Sequence, residues 1–415
     1  MNKRFRMLGA GVAVLSLIAA ACGDDDDDET AEPSDTGTAV DTDAPTSESA
    51  APTGTAAATT TPGSAAPGGE CESIDEISLQ LQWVTQAQFG GYFAADDQGF
   101  FEARCLDVTL VENPPDVTPQ QQLADGQVDF AIAWVPKALA TREQGANIVN
   151  IAQMFQRSGT LQVSFKDAGI TSPEDFEGKN VGTWCCGNEY EVFAALNEAG
   201  LDPTSDVNLV GQDFNMLGLL SGDIDAAEAM TYNEYAQVLE AVNPDTGELY
   251  TPEDFNVVSY EEAGVGMLQD AVWADGERLA SDDAYRDIAV RFIAASIEGW
   301  AYCRDNGESC RDIVVAAGSQ LGSSHQLWQM NEVNKLVWPA ENGIGIIDEE
   351  AWNRTVEIAQ STPNGEGDTV LTEAPSPDSY TNDIVEEAHA LLGDDVDIVG
   401  DGFEEIEVTL EEGGA

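Results

Sequence analysis

The residues of this chain whose types and spacing can do chemistry are rings, amides and carboxylates at the ends of apolar segments. Trp83-Val-Thr-Gln-Ala-Gln-Phe-Gly-Gly-Tyr92 follows an alternating run that starts at Ile77 and places Trp83, Gln86, Gln88, Phe89 and Tyr92 after it. Trp134 closes the run from Val128, and Trp184 closes another before Cys185-Cys-Gly-Asn-Glu189. A fourth run ends near Met230 and delivers Glu228, Tyr232, Asn233 and Glu234. Rings stack on flat molecules, while amides and carboxylates read their edges. This is chemistry for holding a molecule. The sequence offers no nucleophile-and-base constellation, phosphate loop or metal cluster, and no cofactor is expected. Its two histidines, His325 and His389, come late, and Lys137, Lys166, Lys179 and Lys335 have no evident cofactor setting.

A second chemistry, lipid attachment, is suggested at the start. Lys3, Arg4 and Arg6 precede an apolar run, Met7 to Ala21, that is too short to cross a bilayer as a helix and has the flanks of a secretory signal. Ala19, Ala20 and Ala21 lead into Cys22, as in the lipobox of bacterial lipoproteins, with Ala19 where leucine is usual. Residues 1–22 are therefore read as a lipoprotein signal peptide, with Cys22 the lipidated residue. Residues 23–70 are almost entirely Asp, Glu, Thr, Ala, Ser, Pro and Gly. Such a segment buries too little apolar surface to offset its ordering entropy, and is expected to act as a disordered acidic leash of about 40 Å r.m.s. span.

The net charge of -61, from 16 basic and 77 acidic residues, argues against a nucleic-acid partner. Once Cys22 is set aside, six cysteines remain. In an exported chain an even number suggests disulfides. Cys303 with Cys310, closing a short polar loop, and Cys71 with Cys105 are the expected pairs. Adjacent Cys185 and Cys186 leave three readings open: a vicinal disulfide stiffening the loop, packed small residues, or metal or redox chemistry, for which the spacing is poor.

Elements of two periods must position these groups. Strands are read at Ile77–Trp83, Asp107–Val111 and Val128–Trp134, with helices at Gly90–Phe101 and Gln120–Asp125. Leu123-Ala-Asp-Gly-Gln-Val-Asp-Phe-Ala-Ile-Ala-Trp134 aligns with Leu219-Leu-Ser-Gly-Asp-Ile-Asp-Ala-Ala-Glu-Ala-Met230. In both, a glycine (Gly126, Gly222) ends a helix and an aspartate (Asp129, Asp225) opens a strand. This repeat predicts two similarly built α/β lobes. The first spans 71–165 plus 258–360 and the second 166–257, with 361–415 a C-terminal extension packed on the first. A long helix, Asp282 to Cys303, carries the apolar stripe Ile288, Phe292, Ile293, Ile297 and Trp300, read as core.

Trp83 to Tyr92, Gln98-Gly-Phe-Phe101, Gln144-Gly-Ala-Asn-Ile-Val149, Asp175-Phe-Glu-Gly-Lys-Asn-Val-Gly182, Gly187-Asn-Glu189 and Tyr232-Asn-Glu-Tyr235 fall in the order of a known family. Over roughly residues 77–412 the chain resembles the SsuA/THI5-like (NMT1) solute-binding proteins of ABC importers. The resemblance implies a two-lobed periplasmic-binding-protein-like (type 2) α/β fold with a crossing-strand hinge, and a solute enclosed between the lobes. Its partners would be a permease and its ATPase subunit. The protein would be a monomer, lipid-anchored on the extracytoplasmic face of the cell membrane. Some eukaryotic relatives are pyrimidine synthases that use a histidine and lysine-bound pyridoxal phosphate; export and the lysine and histidine positions disfavour an enzyme here.

Ligands of open α/β sheets sit beyond the carboxyl ends of the strands. That rule, with the resemblance, selects Trp83, Gln88, Phe89, Tyr92, Trp134, Trp184, Gly187, Asn188, Glu189, Glu228, Tyr232 and Glu234 as ligand-facing. Trp83 and Phe89 also fit core positions, and Asn188 and Glu189 fit a helix cap. Trp273 is a weaker candidate. The expected wall holds no Arg or Lys. It suits a neutral or cationic heterocycle, such as a thiamine-precursor pyrimidine or a flavin, better than a sulfonate or nitrate.

Overall fold

A computed structural model describes residues 71–114, 117–185 and 187–414. The signal peptide, Cys22, the leash 23–70 and Cys186 lie outside the described residues.

The first sheet contains β1 (Asp75–Gln80), β2 (Leu106–Val111), β3 (Phe130–Trp134), β4 (Ile148–Gln153) and β10 (Asp270–Asp275), in the order β2-β1-β3-β10-β4. The second contains β5 (Thr160–Phe165), β6 (Asn180–Thr183), β7 (Asn208–Gly211), β8 (Ala226–Met230) and β9 (Phe255–Ser259), in the order β7-β6-β8-β5-β9. Each sheet holds one strand that runs against both neighbours: β10 in the first and β5 in the second. These are the strands that enter from the other sheet. The chain therefore crosses twice, at 154–159 and 260–269. The second sheet therefore takes β5 before residue 166 and keeps the chain to the end of β9 at Ser259, past the 257/258 boundary read from the sequence.

The aligned sequence units occupy equivalent places, because β3 and β8 are the central strands of their sheets. Their opening aspartates do the same work. Asp129 Oδ2 accepts from the backbone N–H of Ser78 on β1, and Asp225 Oδ2 from that of Asn180 on β6. Each aspartate pins the parallel neighbour in register. Gly222 has φ 80° and Gly126 φ 67°, left-handed values that let the chain turn from helix to strand.

The helices are α1 (Gly90–Asp97), α2 (Pro119–Ala124), α3 (Val135–Glu143), α4 (Tyr190–Glu198), α5 (Leu217–Ser221), α6 (Glu234–Leu239), α7 (Gly276–Ser281), α8 (Asp283–Asp305), α9 (Gly307–Ala316), α10 (Ser323–Val337), α11 (Glu349–Ser361) and α12 (Asp383–Ala390). The first stops at Asp97, four residues short of the periodicity, and Gly99 then takes φ 74°. The stripe of α8 is core: Phe292 stacks on Phe101 and Phe130, and Trp300 meets Tyr92 edge-on at 5.7 Å. Burying each such ring contributes about 2–3 kcal/mol.

The structure contains the disulfides Cys71–Cys105 and Cys303–Cys310. The second does not close a polar loop. Its cysteines lie on α8 and α9, both fully buried, and it staples two helices at their corner. In the C-terminal stretch, α12 packs on α8 and β4, whereas the backbone N–H of Gly413 reaches the carbonyl of Glu240, just beyond α6.

The two crossings are tied to each other. Gln269 Nε2 donates to Ser158 Oγ (3.1 Å) and Thr160 Oγ1 (2.8 Å), while its Oε1 accepts from the N–H of Gly159 (3.0 Å). The backbone carbonyl of Asp270 accepts from the N–H groups of Met154 and Phe155. Asp270 thus ends one crossing and anchors the start of the other.

Candidate functional site

The carboxyl ends of β1, β3, β6 and β8 converge on one cavity of about 280 Å³. Of the residues selected from sequence, Trp83, Gln88, Trp134, Trp184, Asn188, Tyr232 and Glu234 line it. Gln86 and Asn233 join them. Rings meet across the space between the sheets: Trp83, beyond β1, lies 4.9 Å from Phe214, which precedes α5, and Phe214 lies 5.7 Å from Trp184.

Asp270 organises the wall on the first-sheet side. Its Oδ1 accepts from Trp134 Nε1 (2.9 Å) and Gln82 Nε2 (2.6 Å), and its Oδ2 from Gln88 Nε2 (2.9 Å). Gln86 Nε2 continues the chain to Gln88 Oε1 at 2.6 Å. Three elements that are distant in sequence are thereby fixed at one point. The register places Asp270 opposite Trp134 across the antiparallel β3–β10 pair. Burial pushes Asp270 up to about 7, while the bonds from Gln88 and Trp134 and the nearby Lys137 charge pull the other way.

On the second-sheet side, Glu228 is fully buried behind the wall rather than in it. One of its oxygens accepts from the Trp184 backbone N–H (2.7 Å) and Thr183 Oγ1 (2.9 Å), so it positions Trp184. Burial raises this carboxyl well above the usual range. Glu234 opens α6, where its Oε2 accepts from the N–H of Met230 (3.0 Å) and its Oε1 from Asn233 Nδ2 (2.7 Å). Burial raises its pKa too. Asn233 Oδ1 is bonded to His325 Nε2 at 2.9 Å, and Glu240 holds the other side of that ring. His325 therefore stands directly behind the cavity, closer than its late sequence position suggests.

Four other selected residues lie elsewhere. Phe89 and Tyr92 are buried in the core, with Tyr92 stacked on Phe292, because the turn into α1 rotates both towards α8. Gly187 and Glu189 flank the cavity without lining it. Glu189 Oε2 accepts from the N–H of Gly187 (2.8 Å), and the start of α4 has no side-chain cap. Trp273 is core, donating through Nε1 to the carbonyl of Ala133. Cys185 lines the cavity and is disulfide-bonded.

Sequence reasoning missed Gln82, Asn113, Lys137, Phe214 and, behind them, Asp270. The expectation of a wall without a cation is corrected by Lys137. One turn into α3, it donates to Asn188 Oδ1 at 2.7 Å and lies 4.9 Å from the Trp134 ring centroid. A sequence signal existed for Asp270, a lone carboxylate at the head of the apolar run Ala-Val-Trp-Ala.

A family model described as "NMT1/THI5 like" matches residues 86–309, more than half of the 415. The formylaminopyrimidine-binding protein of Halalkalibacterium halodurans is 23% identical over 59% of this chain and 71% of its own length. The riboflavin-binding protein RibY of Chloroflexus aurantiacus is 23% identical over 78% of this chain and 88% of its own. A 4-amino-5-hydroxymethyl-2-methylpyrimidine phosphate synthase of Saccharomyces cerevisiae is 28% identical over 37% of this chain and 46% of its own. For the first curated relative, from Haemophilus influenzae, the match spans 60% of its length. Among solved structures, the periplasmic aliphatic sulphonate binding protein of Escherichia coli superposes with a TM-score of 0.52 at 15% identity, over 69% of this chain and 86% of that one. The fold is that of periplasmic binding proteins.

Proposed function

The chain belongs to the NMT1/THI5-like family, and we propose that it is the solute-binding lipoprotein of an ABC importer, held by lipid on Cys22 at the extracytoplasmic face of the membrane. The observation that carries this reading is the shared cavity, closed by rings from both sheets beside a double crossing of the chain. A solute that touches both lobes favours the closed form by its differential contacts. That closed form docks, as a monomer, on the permease with its ATPase. The segment 23–70 serves as the leash, the first sheet with its helices as one lobe, the second sheet from β5 (Thr160–Phe165) to β9 (Phe255–Ser259) as the other, and 361–415 as the extension, so the lobe boundaries fall at the two crossings rather than at 165/166 and 257/258.

The aromatic wall of Trp83, Phe214, Trp184 and Tyr232 suits a flat heterocycle of the pyrimidine or flavin kind. The ligands named for the two binding relatives support the same class. Titration of the purified mature protein with formylaminopyrimidine, 4-amino-5-hydroxymethyl-2-methylpyrimidine and riboflavin tests it. Saturable binding of one of them is expected, with the ligand recovered unchanged. At a hundred-fold excess over Kd, such a solute adds about 2.7 kcal/mol and raises Tm by several degrees. Binding of none of them overturns the heterocycle assignment, and formation of product with pyridoxal phosphate overturns the solute-binding reading. A separate prediction concerns the anchor. Cys22→Ser expressed in a bacterial host is expected to leave the membrane fraction, and retention there equal to wild type argues against lipidation.

A further inference from the structure

Helix α10 is bonded to both lobes, one on each side. On one side Gln326 Oε1 accepts from the N–H of Ala87 (2.6 Å) and Gln329 Oε1 from that of Gln88 (3.3 Å), which grips the turn beneath the first-sheet wall. On the other side the buried His325 ring reaches the second lobe. Its Nδ1 lies 3.1 Å from both carboxyl oxygens of Glu240 and its Nε2 2.9 Å from Asn233 Oδ1. Trp328 Nε1 donates to the carbonyl of Thr231 at 3.0 Å. The far end of the helix sits on the first crossing, where the carbonyl of Leu336 accepts from the N–H of Gln156. His325 stands roughly 16 Å further along α10. A rotation of the lobes about the crossings therefore moves the His325 end against α6 far more than the Leu336 end.

Residues 404–414 form a strap along the same helix. Glu405 pairs with Lys335 (2.7 Å), and the N–H groups of Ile406 and Glu411 donate to Asn331 Oδ1 and Ser324 Oγ. Leu410 then packs with Trp328 on the apolar core of the second sheet. The strap finishes on Glu240: Gly413 donates to its carbonyl, and a Cβ on Gly414 would come within 2.4 Å of its Oε1. One bonded line thus runs from the cavity-lining Glu234 and Asn233 through His325 and Glu240 to the strap.

We propose that His325, Glu240 and the strap 404–414 are a latch that holds the two lobes together from behind the cavity and sets how readily the cleft opens. The proposal rests on reading the cavity as a solute site between lobes that move. The contacts of His325 and Leu410 with the second lobe exist only while the lobes are together, so they favour the closed form by their full strength. Linkage makes the effect reciprocal: a solute that closes the cleft tightens the strap, and a loosened strap weakens the solute by the same factor.

Spin labels on cysteines introduced at the exposed positions Gln121 on α2 and Leu217 on α5 measure the separation of the lobes in the ligand-free mature protein. The wild-type distance is expected to shift to a longer, broader distribution in Leu410→Asp, which unseats the strap, and in Glu240→Ala, which leaves His325 without its partner. Glu240→Gln keeps an acceptor for the ring and is expected to keep the wild-type distance. Leu410 is only partly buried, so its variant reports on the latch even where Glu240→Ala fails to fold. Riboflavin, formylaminopyrimidine and 4-amino-5-hydroxymethyl-2-methylpyrimidine supply the second arm. One that binds wild type is expected to bind Leu410→Asp about ten-fold more weakly, and to slow hydrogen exchange at Ile406, Glu411 and Gly413 in wild type. A wild-type distance in Leu410→Asp overturns the latch whether or not any solute binds. A longer distance there, with none of the three solutes bound to wild type, supports the latch and removes the heterocycle assignment. A solute that binds Leu410→Asp as tightly as wild type overturns the latch and leaves the solute-binding reading standing.

Discussion

Asp270→Ala is expected to abolish tight solute binding and to cost about 2–4 kcal/mol of stability, read by calorimetric titration and urea denaturation. The substitution leaves three donors, Gln82 Nε2, Gln88 Nε2 and Trp134 Nε1, without their shared acceptor. Each is held in place by this one carboxylate, so the first-sheet wall loses its geometry all at once. The same residue anchors the crossing through its backbone carbonyl, which the substitution spares. Binding is therefore expected to fall by about 100-fold or more while the fold persists. Unaltered affinity would show that the wall does not depend on Asp270.

A pH arm separates charge from geometry. The folded pKa of Asp270 is about 7, above the ordinary carboxylate value, so the folded state keeps a proton that the unfolded chain has already released. Its contribution to stability is greatest below about pH 4 and is lost as pH rises through about 7. Glu191, also raised to about 7 by burial, acts in the same direction. Asp270→Asn removes only the first share. The wild-type-minus-variant difference in stability is expected to fall between pH 4 and 7, and a flat difference would contradict the burial of this group.

Gly299→Ala is expected to destabilise the protein by about 3 kcal/mol or more, or to prevent folding, although Gly299 lies on α8 and lines no part of the cavity. A Cβ there would overlap the carbonyl oxygen of Gly91 and come within 2.8 Å of the backbone nitrogen of Ala95. Backbone cannot rotate away as a side chain can, so α1 and α8 would have to separate. Because α1 follows directly on Gln86–Phe89, its displacement also draws Gln88 from Asp270. Gly211→Ala, on β7 with open space around the added Cβ, is the control, with an expected change within about 0.5 kcal/mol. Similar unfolding midpoints for the two variants would show that the α1–α8 crossing is looser than its packing indicates.

Much of the architecture was legible in the sequence because it is written in local periodicity. The helix–glycine–aspartate–strand unit at Leu123 and Leu219 announced two similar sheets, and each copy supplies a central strand. The tryptophans at strand ends pointed to one cavity, since alternation and strand direction decide which residues reach the carboxyl edge. Helix length was less legible. The apolar periodicity after Gly90 runs on past Asp97, whereas the left-handed Gly99 ends it.

The sequence by itself determined the fold class, the family, the strand ends that meet and seven of the rings and polar groups around the cavity. The tertiary structure alone decided which groups stand behind that wall and what charge it carries. Phe89 and Glu228 carry the same local signals as their lining neighbours, and only packing turns one into the core and puts the other behind Trp184. Lys137 becomes a cleft residue because one turn of α3 carries its ammonium towards Asn188, 51 residues later in the chain. Asp270 lies 182 residues from Gln88 and 136 from Trp134, and meets them only because the chain returns to insert β10 antiparallel beside β3. Local patterns encode the direction of a strand and the face of a helix. The pairing of groups that far apart depends on the order in which the strands assemble.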